Sequence, residues 1–377
     1  MNIRIFLFVL FGSVVLYMLI IFAFTEGWTR LSRHAFSLRD LSTPVSVVIP
    51  FRNEAASLKT LIKALCEQTY PADLVEIILV DDHSEDNGKI LIENLIRENH
   101  VNHIRIIDTK KTGKKAALRT GILQAGGKLI VTTDADCIPT KNWLTEIVTL
   151  YEEKKSRLIL GPVVYGRENT FLKKLFSLDF ISLVASGAGS TGLGLPFMGN
   201  AANMAFEKQV YIDAEDHAMN TGFASGDDVF FIHYVRREYG RNAIEFIKNE
   251  KTIVHTSTPE NLKAFLLQRI RWGSKARAYT QSWALLVSYS IFLFNFLLSV
   301  VLIAGFFVPW FFIIYFLFII LKTLIDFPLL FAFCRFSRKR YLLPYVFALE
   351  PVYPLYITYV AFRGLFPFEW KNRYLSR

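Results

Sequence analysis

Two strongly apolar regions bracket this chain and restrict its fold more than any other feature. Ile5 to Phe24 is an apolar run of about twenty residues, the length a helix needs to cross a bilayer. The last hundred or so residues are again mostly apolar. There, Trp283–Phe307 and Val308–Phe333 are each long enough for a span, with a turn at Pro309 between them. The middle reads as an ordinary water-facing domain. The overall 52% hydrophobic content and the 34 Phe residues are therefore unevenly spread, which predicts a membrane protein with one large soluble part. The first run exceeds a signal-peptide core and lacks a small-residue cleavage site, so a retained anchor is expected.

The formal charge of +10 follows the same division. Arg30 and Arg33 come after the first apolar run, and Arg335, Arg338, Lys339 and Arg340 come after the third. Basic residues collect on the cytoplasmic side of spans, which puts the middle domain in the cytosol of a multi-pass protein of the inner (cytoplasmic) membrane. The aromatic residues sit in the apolar runs rather than in a basic stripe, so no nucleic-acid partner is expected. Cys66, Cys137 and Cys334 are far apart, with no metal or redox spacing. Tyr341–Phe362 is apolar but holds Pro344, Glu350, Pro351 and Pro354. A full span there would carry the basic tail Lys371–Arg377 to the far side, so a broken or re-entrant segment is expected. Lys322 and Asp326, four residues apart on one helix face, are expected to pair.

In the middle, short apolar runs at Val45–Pro50, Val75–Val80, Ile104–Ile107 and Leu129–Val131 predict buried strands. Helical spacing over Ala55–Gln68, Ile90–Asn99 and Ala116–Ala125 alternates with them. Such βαβ units predict an α/β domain with a mostly parallel central sheet. The strands end in polar residues, at the edge where open α/β sheets bind ligands. Leu129-Ile-Val-Thr-Thr-Asp-Ala-Asp136 ends in two carboxylates, Asp134 and Asp136, expected to face one side by strand alternation. Two hard oxygen donors without adjacent His suit Mg²⁺ or Mn²⁺, ions that bridge substrate phosphates. Lys110 to Lys115 surrounds Gly113 with ammonium groups able to meet phosphate, without P-loop spacing.

Val47-Val-Ile-Pro-Phe-Arg-Asn-Glu54, Leu79-Val-Asp-Asp-His-Ser84, Gly113-Lys114 and Asp134-Ala-Asp136 together resemble the opening of the family-2 inverting glycosyltransferases of the GT-A fold, over about residues 45–280. The resemblance implies that Phe51, Glu54, Asp82 and Lys114 serve the nucleotide, with Asp82 at the base. It implies that Asp134 and Asp136 hold the metal on the donor diphosphate. Arg52 departs from the Tyr that many members carry there. Met198 to Phe206 resembles the segment lining the sugar pocket, with Gly199 and Asn200 in it, although Glu207 replaces the usual basic residue. Ser225-Gly226-Asp227-Asp228 is similar to the family's second acid pair, with Asp228 as general base. Gln268-Arg-Ile-Arg-Trp272 fits the Q-x-x-R-W motif of membrane-integrated members, including polysaccharide synthases and ceramide-type glucosyltransferases. On a helix, Gln268, Arg271 and Trp272 share one face. Arg271 can pair with diphosphate, and Trp272 can offer a flat wall to a sugar or acceptor.

Two other stretches carry expectations from the residues alone. Phe171–Leu183 is amphipathic and suits either a membrane surface or a core. Gly187–Gly194 is Gly-rich and is expected to be a mobile loop over the site. The domains expected are an anchor at 1–26, a GT-A domain at 45–280, membrane segments at 283–365 (two spans plus the third segment) and a basic tail at 366–377. The implied activity is transfer from a nucleotide-sugar donor, with UDP favoured, to a lipid or lipid-linked glycan. A processive polysaccharide synthase with an export partner is the near alternative, and a non-catalytic nucleotide-sugar-sensing scaffold the distant one.

Overall fold

The computed structural model describes residues 3–32, 41–98, 102–217, 227–274, 279, 281–370 and 373–375. A long helix, α1 (Ile3–Arg30), precedes β1 (Val45–Phe51), α2 (Ala55–Cys66), β2 (Val75–Asp81), α3 (Gly88–Glu98), β3 (Ile104–Asp108), α4 (Lys114–Gln124) and β4 (Leu129–Thr132). Then come β5 (Ile138–Pro139), α5 (Trp143–Lys154), β6 (Leu158–Leu160), β7 (Val163–Tyr165), α6 (Phe171–Gly192), β8 (Met204–Glu207), α7 (Lys208–His217) and α8 (Asp227–Tyr239). The remainder is β9 (Ile244–Phe246), β10 (Val254–Thr256), α9 (Leu262–Gly273), α10 (Ser282–Gly305), α11 (Trp310–Phe336), α12 (Val346–Leu349), α13 (Tyr353–Arg363), β11 (Phe368–Trp370) and β12 (Arg373–Leu375). These elements form two compact units that interleave along the chain. One is Leu31–Gly166 with Pro196–Ser257; the other is Met1–Arg30, Arg167–Leu195 and Thr258–Arg377.

The first unit is built on a seven-stranded sheet of order β3-β2-β1-β4-β8-β6-β9. β3, β2, β1 and β4 are parallel, β8 is antiparallel to both its neighbours, and β9 is parallel to β6. The expected mostly parallel sheet is therefore present. Every residue of β1 and β4 is buried, which explains why these strands read as unbroken apolar runs. α2 buries Leu58, Leu61, Ile62 and Leu65, the positions its helical spacing selects. The chain leaves β1 toward β2 and β3 and returns to add β4 on β1's other side. The strand order thus reverses between β1 and β4, the point at which open α/β sheets have their binding crevice, outside the strands' C-terminal ends. A three-stranded sheet, β5-β10-β7, lies beyond that edge.

Among the described residues, the second unit holds three helices long and apolar enough to cross a membrane, over Arg4–Arg30, Ser282–Gly305 and Trp310–Phe336. α1 and α11 run in the same direction. Tyr17 donates to Asp326 at 2.7 Å, and the Trp28 ring meets Phe333 and Phe336 at 5.3 and 5.2 Å. Lys322 and Asp326 pair as expected, at 2.7 Å.

The Gly187–Gly194 stretch overturns its expectation. Its first six residues are the last turns of α6, and Gly187, Ala188, Gly189, Ser190 and Thr191 are buried. A Cβ at Gly189 would collide with the Phe24 backbone, and one at Gly27 with the Gly189 carbonyl. The glycines let α1 and α6 touch backbone to backbone, the use small residues find in apolar helix pairs, and none of this packing is visible in composition. Gly189→Val should therefore destabilise by roughly 1–3 kcal/mol or more, as overpacking does. A lower unfolding midpoint of the detergent-solubilised protein would register it, and an unchanged midpoint would mean that the crossing relaxes freely.

Candidate active site

The loops leaving β1 and β2 are tied together at the crevice. Asn53 and His83 both take left-handed backbone, at φ 54° and 57°, and reverse the chain just past the strand ends. The Asn53 amide donates to the Ser84 hydroxyl at 3.1 Å, and the Glu85 amide donates to the Asn53 side-chain oxygen at 2.8 Å. Arg52 pairs with Glu85 at 3.3 Å, an exposed contact. Phe51 is buried at the end of β1, opposite Asp81 in register, and its carbonyl accepts from the Asp82 amide at 2.9 Å. Glu54 caps α2 through its backbone carbonyl, which accepts from Ser57 and Leu58.

A third loop joins this pair. Asp82, itself buried, accepts the Gly113 amide at 2.6 Å. Gly113 sits at φ 116°, where a side chain would be strained, and it starts α4. The next residue, Lys114, reaches Asp134 with its ammonium group 2.5 Å from Oδ1. Asp82, Gly113, Lys114 and Asp134 thus form one continuous string of contacts across the crevice between β1 and β4.

Asp134 and Asp136 differ from expectation in one respect. β4 ends at Thr132, and both acids lie in the turn that follows rather than on an extended strand. The turn lets Asp134 face Lys114 while Asp136 accepts from the Thr256 hydroxyl at 3.0 Å. Burial, then the charge of Asp134, raises the Asp136 carboxyl above its ordinary value. Two crowded carboxylates with a cation drawn to one of them make an oxygen donor set that fits a hard divalent ion. Among the described residues no group of three His, Cys, Asp or Glu gathers, so the protein offers a carboxylate pair rather than a closed cage. Thr256 escaped sequence reasoning. It lies on β10, whose His255 pairs with Ile138, so a strand 120 residues downstream buttresses the turn. Three residues of β10 carry no pattern that predicts this.

The other residues distribute as follows. Asp228 is the second residue of α8, and its Oδ1 accepts from the Val229 amide at 2.9 Å. Asp227 begins α8, but its side chain lies outside the described residues, as do Ser225 and Gly226. Gly199 packs on α8: a Cβ there would press on Ile232 at 2.7 Å. The Asn200 side chain accepts from the Ala202 amide at 3.0 Å and so shapes the turn into β8. Asn203 anchors that turn, taking the Trp143 indole at 2.9 Å and donating to the Pro162 and Thr252 carbonyls at 2.9 and 2.8 Å. Glu207 is held by Arg157 and accepts from Tyr151 at 2.9 Å.

Gln268, Arg271 and Trp272 lie on α9 in the second unit, all partly buried. The residue that organises them is Arg269, which the motif leaves unspecified. Its Nε donates to Asp179 of α6 at 2.7 Å and its Nη1 to Gln268 at 2.7 Å. Its guanidinium lies 4.4 Å from the Trp272 ring centroid and 4.6 Å from that of Phe265. The sequence puts Gln268, Arg271 and Trp272 on one helical face and singles out neither Arg269 nor its partner Asp179, 90 residues earlier.

Comparison with known proteins bears on the family and the fold. The description "Glycosyl transferase family 2" matches residues 46–211, and "Glycosyl transferase family group 2" matches residues 129–325, more than half of the chain. Glycosyltransferase AglE of Haloferax volcanii is 32% identical over 125 residues, covering 33% of this chain and 41% of the relative. An undecaprenyl-phosphate 4-deoxy-4-formamido-L-arabinose transferase of Proteus mirabilis is 30% identical over 223 residues, covering 54% of this chain and 64% of the relative. The chain thus spans less than two thirds of either curated relative. A solved mannosyltransferase of Pyrobaculum calidifontis, in complex with GDP-Man and Mn²⁺, superposes with a TM-score of 0.61 at 15% identity, covering 95% of this chain and 99% of that one. The fold is GT-A-like, and the chain belongs to the glycosyl transferase family group 2.

Proposed function

We propose that this protein is a metal-dependent inverting glycosyltransferase that moves a sugar from a nucleotide-sugar donor to a lipid phosphate or lipid-linked glycan at the cytosolic face of the inner membrane. The observation that carries the reading is the string Asp82–Gly113–Lys114–Asp134 at the strand-order reversal, with Asp136 beside it. A base, a ribose and a diphosphate need acceptor oxygens, a close backbone and positive charge in that order. Asp82, Gly113 and Lys114 supply them, while Phe51 and Glu54 wall the nucleotide side. Asp134 and Asp136 would hold Mg²⁺ or Mn²⁺, which when bound neutralises charge building on the leaving diphosphate. Asp228 takes the proton of the acceptor hydroxyl or phosphate, and Gly199 and Asn200 border the sugar. Gln268, Arg271 and Trp272 serve the diphosphate and the acceptor.

The name of the Proteus relative supports a polyprenyl phosphate as acceptor, and the Mn²⁺ of the mannosyltransferase complex supports a divalent ion. UDP-sugars are the first donors to try, and the GDP-Man of that complex makes GDP-sugars the second. The three helices able to span among the described residues suit single transfer to a lipid better than a self-made export channel.

The test is nucleotide release by the detergent-purified protein from UDP-, GDP- and dTDP-sugars, with Mg²⁺, Mn²⁺ or chelator, and with or without polyprenyl phosphate. The expected result is release from one donor class, abolished by chelator, stimulated by the lipid, with a product one sugar longer. A ladder of long products would favour the polysaccharide synthase. Donor binding without turnover under every condition would favour the sensing scaffold.

A further inference from the structure

We propose that residues 340–364 form a re-entrant hairpin that enters and leaves the membrane on the face where α11 ends, with its deepest point at Glu350–Pro351. The reference frame is the α10–α11 pair, joined at Phe306–Pro309, so that Gly305 and Trp310 share one end and Ser282 and Phe336 the other. α11 ends at Phe336 and the chain turns back. At that end Lys339 and Tyr341 both bind Glu168, the latter at 2.7 Å, and Tyr345 accepts from Lys174 at 2.8 Å. The chain then descends. Glu350 meets Lys322 at 2.6 Å, and the Pro351 carbonyl accepts from Tyr315 at 2.5 Å. Lys322 and Tyr315 stand roughly 20 and 30 Å along α11 from Phe336, at 1.5 Å per residue. The descending limb has therefore covered most of the bilayer core, about 30 Å thick, by Pro351.

α13 then brings the chain back. Thr358 contacts Ser299 at 3.0 Å on α10, and the Phe362 ring meets Phe292 and Phe296, both at 6.0 Å. Successive residues of α13 thus approach the Ser282 end of α10. Val360 packs on Ile270, and Gly364 lies against Ser274 just before that end. Neither limb is a span: α12 has four residues and α13 eleven, and Pro344, Pro351 and Pro354 interrupt them. Broken backbone at membrane depth is tolerated where protein surrounds it. Glu350 and Lys322 are both buried, as is the Pro354 that follows the turn. The acid at the tip shares with Asp326 the one cation at that depth among the described residues of α11, and the Tyr353 ring covers that cation at 4.4 Å.

The test is side-selective labelling of the full-length protein in membranes. Native Cys66, exposed on the catalytic unit, reports the catalytic side; Phe307→Cys reports the α10–α11 turn, and Phe366→Cys the chain after the hairpin. An impermeant maleimide should label Phe366→Cys and Cys66 from the same side, and Phe307→Cys from the other. A protease-cleavable epitope after Arg377 gives the same reading without substitution in the fold. Ser299→Cys/Thr358→Cys should cross-link on mild oxidation, which fixes the return path. Labelling of Phe366→Cys together with Phe307→Cys would make the segment a fourth span and overturn the proposal. Failure of the cysteine pair to cross-link in a protein that still labels Cys66 normally would overturn the return path. Neither readout depends on transferase activity.

Discussion

Asp228→Asn should lower turnover roughly 10²–10⁴-fold, the share that a positioned general base contributes. Inverting transfer is a single displacement at the anomeric carbon, and a hydroxyl acceptor, or a phosphate acceptor still carrying its second proton, must lose that proton as the new bond forms. Asp228 opens α8, beside the helix face that packs on Gly199. It takes no part in the Asp82–Gly113 and Lys114–Asp134 contacts that define the proposed nucleotide cleft. Donor affinity, measured by calorimetry with a non-transferable analogue, should therefore stay near wild type while turnover collapses. Asp228→Glu should recover part of the rate, because it keeps a base but misplaces it. Turnover near wild type in the Asn variant would remove Asp228 from the chemistry, and loss of donor binding would make it a nucleotide residue instead.

Arg269→Met should destabilise the protein by about 3–5 kcal/mol, the usual consequence of stranding one member of a buried ion pair. Arg269 is 3% and Asp179 1% exposed, so water cannot replace the lost partner. The double variant Arg269→Met/Asp179→Leu should be much milder, since removing both members leaves no buried charge of the pair uncompensated. Thermal unfolding of the detergent-solubilised proteins reads the difference directly. The double variant should nonetheless stay catalytically poor, because Arg269 also fixes the Gln268 amide and lies against Trp272. If the single and double variants lose equal stability, the pair is not coupled and Arg269 acts mainly by filling space.

What the sequence disclosed depended on how local the physics was. β1 and β4 are buried on both faces, so their apolar runs announced them. The members of the string from Asp82 to Asp134 were picked out by the resemblance, and the structure puts them close to strand ends and a helix start: Asp82 follows β2, Gly113 and Lys114 open α4, and Asp134 follows β4. Asp134 and Asp136 were expected to share a strand face and lie in a turn instead, because the apolar run that marks the strand stops short of them. Thr256 and Asp179 stayed hidden because each acts through a partner 90 or more residues away. The error at Gly187–Gly194 has a different origin. In a water-exposed helix each Gly costs roughly 1 kcal/mol, so a Gly-rich stretch reads as a loop. Against Phe24 and Gly27 the same residues gain a backbone contact that larger side chains would forbid.

The interleaving of the two units limits how this protein can be taken apart. The path leaves the helical unit after Arg30, re-enters it from Arg167 to Leu195, and returns for good at Thr258. No single pair of cuts releases a complete catalytic fragment. A soluble piece running from Leu31 to Ser257 would still carry α6, its glycine face stripped of α1 and open to water. Such a fragment should aggregate, and a crystallisable catalytic half would need α6 replaced by a short polar bridge rather than the chain merely shortened.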